Sequence, residues 1–204
     1  MSRDKLLYQG RASVRIETRG GVFIYVDPFA GNGYDKPADL ILVTHEHFDH
    51  NKISLVEKRN TGCRIIRSGD ALHDGVYEQY DLGYAKVTAV EAGNNPNHSV
   101  DECVGYVITL ESGIIIYISG DTSATKDIDR VANMNIDYAL YCCDGEYNMD
   151  IDEAMDMARR VGAKHSIPYH VTGDITDFFD RKRAEMFCVE GRMILEHGQE
   201  IELY

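Results

Sequence analysis

His45, His47 and His50, with Glu46 and Asp49 between them, place three imidazoles and two carboxylates within residues 44–50. Imidazole and carboxylate are the ligands that suit zinc, and also manganese or ferrous iron. Side chains at i and i+2 lie on opposite flanks of a strand and about 200° apart on a helix, so His45 and His47 can share one ion only from a tight loop. Asp49 and His50 are adjacent and can point away from that pair toward a second ion. Such a cluster, directly after the apolar run 40–43, would carry a large desolvation cost unless it held a metal. Glu46 and Phe48 alternate with these residues, which predicts a structural role for Glu46 and packing for Phe48.

Three more candidates follow other apolar runs. His98 lies in the turn-rich stretch 93–98, Asp121 in Ser119-Gly120-Asp121-Thr122, and His170 just after Ile167-Pro168-Tyr169. Alone, Asp121 reads as a turn or helix cap and His98 as a surface loop residue. Strand ends on one edge of a layered sheet meet in space, however, and that is how distant residues build one site.

The elements that must position them can be read from periodicity. Alternation over 14–18, the Gly20-Gly21 break and the apolar run 22–26 predict a β-hairpin. Further strands are expected at 40–43, 63–66, 84–90 and 137–141, with a second hairpin of 104–110 and 114–118 turning at Glu111-Ser112-Gly113. Residues 51–59 read as a short helix, 151–161 as an amphipathic helix with Ala154, Met155, Met157, Ala158 and Val161 as its apolar residues, and 175–187 as a further helix. One or two short strands close the chain over 194–204. The alternation implies an α/β layered fold, and 204 residues suit one domain spanning 1–204.

Bulk properties narrow the partners. A net charge of -13 disfavours extended nucleic-acid binding, since no basic arm offsets it. No stretch approaches the ~18 apolar residues of a membrane span, and the beginning of the chain does not read as a signal peptide, so the expected location is cytoplasmic. Five cysteines without a C-x-x-C spacing argue against a disulfide framework or thiolate zinc site. Cys142-Cys143 follow an expected strand and are candidates to lie near the site.

The order His45-x-His47-x-Asp49-His50, His98, Ser119-Gly120-Asp121-Thr122 and Pro168-Tyr169-His170 resembles the metallo-β-lactamase-fold superfamily of metal-dependent hydrolases. Gly10-x-x-Ser13-Val14, Val26-Asp27-Pro28 and Tyr147-Asn148-Met149-Asp150 followed by Ile151-Asp152-Glu153-Ala154 resemble one subgroup of it. That subgroup comprises single-domain hydrolases similar to bacterial ascorbate-6-phosphate lactonases and N-acyl phosphatidylethanolamine phospholipase D. The resemblance covers nearly the whole chain and implies a four-layer αβ/βα sandwich. It further implies a dinuclear site in which His45, His47 and His98 hold one ion, Asp49, His50 and His170 the other, and Asp121 bridges both. Asp49 would also orient the shared water or hydroxide as the catalytic residue, Asp27 would orient a ligand histidine, and the 147–149 loop would approach the pocket. Arg11 and Ser119 depart from the pattern of many relatives.

Two such ions, zinc foremost with manganese or iron as alternatives, activate water and polarise a carbonyl or phosphoryl group. The expected function is therefore a metal-dependent hydrolase that uses a metal-bridging hydroxide on a small ester, lactone or phosphodiester. An anionic small-molecule substrate is compatible, because the ions make the pocket locally positive inside an acidic shell. Competing readings are a nuclease or cyclic-nucleotide phosphodiesterase, which the charge disfavours, and a mononuclear iron persulfide dioxygenase, which has less need of Asp49, His50 and His170. A non-catalytic metal-binding protein is the fourth. His73, His165 and His197 match no motif position and are expected to be non-ligands. Lys126 and Arg130 are expected on a solvated helix face.

Overall fold

The first hairpin forms where alternation places it, because Val14, Ile16, Ile24 and Val26 turn to one buried face while the Gly20-Gly21 break lets the chain reverse. A computed structural model describes residues 3–59 and 62–204. The first two residues of the leader reading thus lie outside the described residues. The first sheet begins with β1 (Lys5–Gly10), β2 (Ser13–Glu17) and β3 (Phe23–Val26), all antiparallel neighbours. It continues in parallel through β4 (Leu40–Leu42) and β5 (Arg64–Ile66). A short helix α1 (Ser68–Ala71) and the small hairpin of β6 (Leu72–His73) and β7 (Val76–Tyr77) lead onward.

The second sheet repeats the same antiparallel-then-parallel plan. β8 (Gln79–Asp81), β9 (Ala85–Glu91), β10 (Val104–Leu110) and β11 (Ile115–Ile118) are antiparallel, and β12 (Tyr138–Cys142) and β13 (His165–Tyr169) add in parallel. Each parallel step needs a crossover; α2 (Ile128–Ala132) and α3 (Ile151–Val161) supply them and pack on one another. After α4 (Arg181–Met186), β14 (Gln199–Glu202) returns to the free edge of β1, so both sheets are six-stranded.

The sheets share one core. Leu6, Ile16, Ile24 and Leu42 from the first sheet pack with Val87, Tyr106, Ile108 and Ile116 from the second, and the apolar face of α3 joins them. On the outer side of the first sheet, Phe23, Tyr25, Ile41 and Val43 cover a separate cluster with Val56. The α/β sandwich is therefore four-layered, with helices outside the second sheet and a thinner, mostly irregular cover outside the first.

That thin cover corrects the helix expected at 51–59. Only a 3-10 turn, Ile53–Leu55, forms there. The chain then runs beside residue 38, with the Ala38 N–H donating to Glu57 O at 2.7 Å and the Arg59 N–H to Ala38 O at 2.8 Å. Tertiary pairing and burial of Val56 thus override local propensity. The helix expected at 175–187 is likewise confined to α4. The Arg11 N–H donates to Phe178 O at 2.9 Å, and Asp180 caps the helix by accepting from the Arg183 N–H. By contrast α3 has the expected bounds, because Asp150 caps its start and Gly162, at φ 64°, ends it.

Candidate metal centre

The parallel strands aim their C-terminal ends at one place, the usual position for a site in open α/β sheets. β3 runs into Asp27, β4 into Thr44 and the histidine loop, β11 toward Asp121, β12 toward Asp144 and β13 into His170. His98 arrives from the loop between β9 and β10. The backbone is strained there: Arg11, Asp27 and His170 are non-glycine residues with φ of 47°, 47° and 44°.

All seven residues singled out as ligands converge. Ligand-type atoms of His45, His47 and His98 lie within 4.8 Å of one another, as do those of His45, His50 and Asp121 and those of Asp49, His50 and His170. The Oδ2 of Asp121 is 3.4 Å from His50 Nε2 and 3.5 Å from the Nε2 atoms of His98 and His170. Yet the Nε2 atoms of His45, His50, His98 and His170, and the Oδ1 of Asp121, are buried without hydrogen-bond partners. An unsatisfied buried polar atom costs about 1–3 kcal/mol, so five in one place fit a cation-binding centre and little else. The donor set, imidazole and carboxylate, fits a divalent ion.

The opposite ring nitrogens are anchored, which fixes the tautomers. Thr44 Oγ1 donates to Asp27 at 2.7 Å, so it accepts from His45 Nδ1–H at 3.1 Å. Asp27, wholly buried, also accepts from the Thr44 N–H and from His50 Nδ1–H, both at 2.8 Å. His98 Nδ1–H donates to Asn95 Oδ1 at 3.1 Å. In the neutral rings of His45, His50 and His98, Nε2 is therefore the nitrogen whose lone pair can face a cation at the centre. His170 Nδ1 sits 3.5 Å from Asp144 Oδ2.

Charge is distributed unequally among these groups. Burial, then the neighbouring His50, push His45 well below the ordinary histidine value, and burial lowers His98 as well. Burial works against a charged His50, but Asp121 and Asp27 outweigh it and hold that imidazole well above its usual value. Burial likewise opposes ionised Asp121, which His170 and His50 nevertheless hold well below the carboxylate range. Asp49 is lowered too, His50 and the Arg11 hydrogen bond prevailing over its burial.

Two supporting residues escaped sequence reasoning. Arg11, whose role the sequence left open, is 3% exposed and donates from Nη2 to Asp49 Oδ2 at 2.7 Å and from Nη1 to Asp174 O at 2.8 Å. Its carbonyl accepts from the His170 N–H at 2.9 Å, so one residue ties Asp49 to His170. Asp144 accepts from the backbone N–H groups of Glu146, Tyr147 and Asn148, and the Asn148 amide donates to both Asp121 Oδ2 at 2.8 Å and Asp144 Oδ2 at 2.7 Å. The available signal was positional: Asp144, like Asp27, stands just past the C-terminal end of a parallel strand.

The remaining candidates separate clearly. Glu46 is structural, forked by Arg67 at 2.7 and 2.8 Å. Phe48 is not a packing residue: it is 68% exposed and meets Phe29 in a T-shaped ring contact, because the loop needs its alternate positions for the site. Tyr147 lies on the rim of the cavity above the centre, while Met149 is buried in the core. Ser119 donates to Gly120 O and accepts from the Cys142 N–H, knitting β11 to β12. Cys142 and Cys143 are buried at the end of β12, and burial raises both thiols. Lys126 and Arg130 line a separate depression with Glu91.

Two cavities open onto the centre and share His47, Asn97 and His98. One, of about 500 Å³, is lined by Arg11, Asp49, Phe48, Tyr147 and Ile175. The other, of about 470 Å³, is lined by Glu46, Arg67, Asp70, Asp101 and Glu102. Among the described residues no helix is long and apolar enough to cross a membrane.

Comparison with known proteins agrees with this geometry. The family described as a beta-lactamase superfamily domain matches residues 5–170. A UPF0173 metal-dependent hydrolase of Rubrobacter xylanophilus is 30% identical over 195 residues, 81% of each chain. One from Pyrococcus furiosus is 32% identical, covering 81% of this chain and 84% of the relative. In three dimensions the chain is similar to Igni18, a metallo hydrolase of Ignicoccus hospitalis, with a TM-score of 0.75 at 20% identity over 100% of this chain and 99% of that one. The chain belongs to the metallo-β-lactamase-fold superfamily, among its metal-dependent hydrolases.

Proposed function

We propose that residues 1–204 act as one hydrolase domain with a dinuclear centre, cleaving a small ester, lactone or phosphodiester. The single observation behind this reading is the set of four buried, partnerless Nε2 atoms gathered around Asp121. His45, His47 and His98 would hold one divalent ion, Asp49, His50 and His170 the other, and Asp121 both, with zinc the best match and manganese or iron alternatives. Bound there, the ions supply Lewis acidity and make water nucleophilic near neutral pH.

The chain's own residues do the rest. Arg11 engages one oxygen of Asp49 and, with His50, keeps the carboxylate ionised, so Asp49 is free to accept a hydrogen bond from attacking water and to orient it. Asp27 and Thr44 hold His45 and His50 rigid from behind. Asn148 restrains Asp121 so that its charge stays at the centre. The presence of Asp49, His50 and His170 within 4.8 Å of one another favours two ions over the one-iron dioxygenase reading.

The test is elemental analysis of the purified protein, followed by turnover of lactones, phosphodiesters and thioesters with and without a chelator. Two metals per chain and chelator-sensitive hydrolysis are expected; one iron with oxygen consumption would sink the proposal.

Two further outcomes follow. Asp27→Asn removes the charge behind His50, and metal affinity should fall about 10- to 100-fold in a chelator competition. Because His50 is raised above its ordinary value, the metal-free centre carries a proton at pH 7 that binding must displace. Affinity should therefore strengthen with rising pH, by about tenfold per unit for one proton released, up to the folded-state value of His50. In the metal-free protein the same shift acts oppositely: the stability that His50 contributes is full below its unfolded value and is lost as pH rises through the folded one. An affinity unchanged between pH 6 and 8 would contradict the assignment of His50 as a ligand.

A further inference from the structure

Resting on the hydrolase reading, we infer that the cleft selects an uncharged carboxylic ester or lactone with an apolar group, and disfavours phosphate-bearing substrates. The first observation is where exposed apolar side chains collect. Phe48, Tyr147 and Ile175 are 68%, 44% and 40% exposed, and all three line the same cavity of about 500 Å³ beside the metal centre. A group of exposed large hydrophobic residues around a concave polar centre marks a ligand site.

This rim is held in place before any ligand arrives. Phe48 leans edge-on against Phe29, with ring centroids 5.9 Å apart. Asp144 ties down the loop that carries Tyr147 through three backbone N–H groups, and the Asn97 amide donates to Tyr147 O at 3.3 Å. Ile175 is flanked by Asp174, whose carboxylate accepts from Thr176 and whose carbonyl accepts from Arg11. Preorganisation of this kind spares an apolar substrate the cost of ordering the loops.

The second observation is that, among the described residues, the arginines lining the two cavities are already paired with carboxylates. Among the described residues the one Lys or Arg lining the apolar cavity is Arg11; its Nη atoms are engaged by Asp49 and the carbonyls of Thr172 and Asp174, and its Nε, although without a partner, is buried away from a ligand. In the other cavity Arg67 donates from Nη1 to both oxygens of Glu46, and Asp70, Asp101 and Glu102 share the lining. A substrate phosphate away from the reacting bond would meet carboxylates there, which disfavours it. An uncharged acyl group meets neither penalty.

Hydrolysis of such a substrate balances with water alone. The water oxygen bonds to the acyl carbon, the acyl C–O bond breaks, and a proton passes to the leaving alkoxide. The acid so formed ionises at neutral pH and leaves as the carboxylate.

The experiment compares kcat/KM of the metal-loaded protein for acetyl, butyryl and hexanoyl nitrophenyl esters and for bis(nitrophenyl) phosphate. Each added methylene should raise kcat/KM roughly fourfold until the cavity is filled, and Phe48→Ser should lower the hexanoyl-to-acetyl ratio about tenfold. Val76→Ser, a control at an exposed apolar residue outside the cavity, should leave the ratio unchanged. A flat chain-length series, or faster turnover of the phosphate diester, overturns the inference while chelator-sensitive turnover keeps the hydrolase reading. If no ester is cleaved, saturation-transfer NMR with hexanamide and acetamide decides. Binding of hexanamide that Phe48→Ser weakens supports the apolar selectivity although the hydrolase reading has failed; no such binding overturns it.

Discussion

Asp121→Ala is expected to remove metal and hydrolytic activity together, whereas His165→Ala keeps both. The Oδ2 of Asp121 lies 3.4–3.5 Å from the Nε2 atoms of His50, His98 and His170, and its charge is the one that faces all three. Removal would leave imidazoles packed around an empty space with nothing to hold two cations at once. Residues that only orient a ligand cost about 10- to 100-fold when lost, so loss of the central carboxylate should exceed roughly 100-fold in activity. His165 stands at the other end of β13 from His170 and stacks on Tyr138, with centroids 4.7 Å apart. Elemental analysis after gel filtration, turnover and a melting curve would be measured on both variants. A folded Asp121→Ala that retains two metals would overturn the ligand set.

Some of this was readable in the chain and some was not, for physical reasons. The histidine loop was legible because its ligands are packed into residues 44–50, and three imidazoles at that spacing have few other uses. The helix at 151–161 was legible because cap, apolar face and terminating glycine all agree locally. Residues 51–59 misled because Ile53, Leu55 and Val56 mimic helical spacing, whereas their partners are Ala38 and the outer face of the first sheet. Similarly, Phe178 and Phe179 suggested a helix face, but Phe178 is pinned to the Arg11 turn and the helix starts later. Arg11 fills an unspecified position of the Gly10-x-x-Ser13 motif and Asp144 belongs to no motif. Their importance exists only once the turn after β1 and the end of β12 have been brought beside Asp49 and His170, which is a property of topology rather than of spacing.

Gly120→Ala should destabilise the protein by about 2–5 kcal/mol and weaken metal binding at the same time. Gly120 has φ of +63°, and a left-handed conformation costs an L-residue about 1–2 kcal/mol. A Cβ there would also stand 2.9 Å from Val104 O and 3.0 Å from Thr44 Cβ, and such overpacking adds about 1–3 kcal/mol. Neither neighbour can yield freely. The Val104 N–H donates to Thr44 O at 2.9 Å, joining the two sheets, and Thr44 is bonded twice to Asp27 and once to His45. A shift of Thr44 therefore moves the support of His45 and His50, while a shift of residue 120 moves Asp121. Gly113→Ala separates the two contributions: its φ is +93°, but a Cβ there meets nothing within 4 Å, so it should lose stability without losing metal. Urea midpoints and chelator competition measure the difference. Equal metal affinity in the two variants would mean that the glycine before Asp121 serves only the turn; a selective loss in Gly120→Ala would mean that it sets the distance between the two halves of the centre.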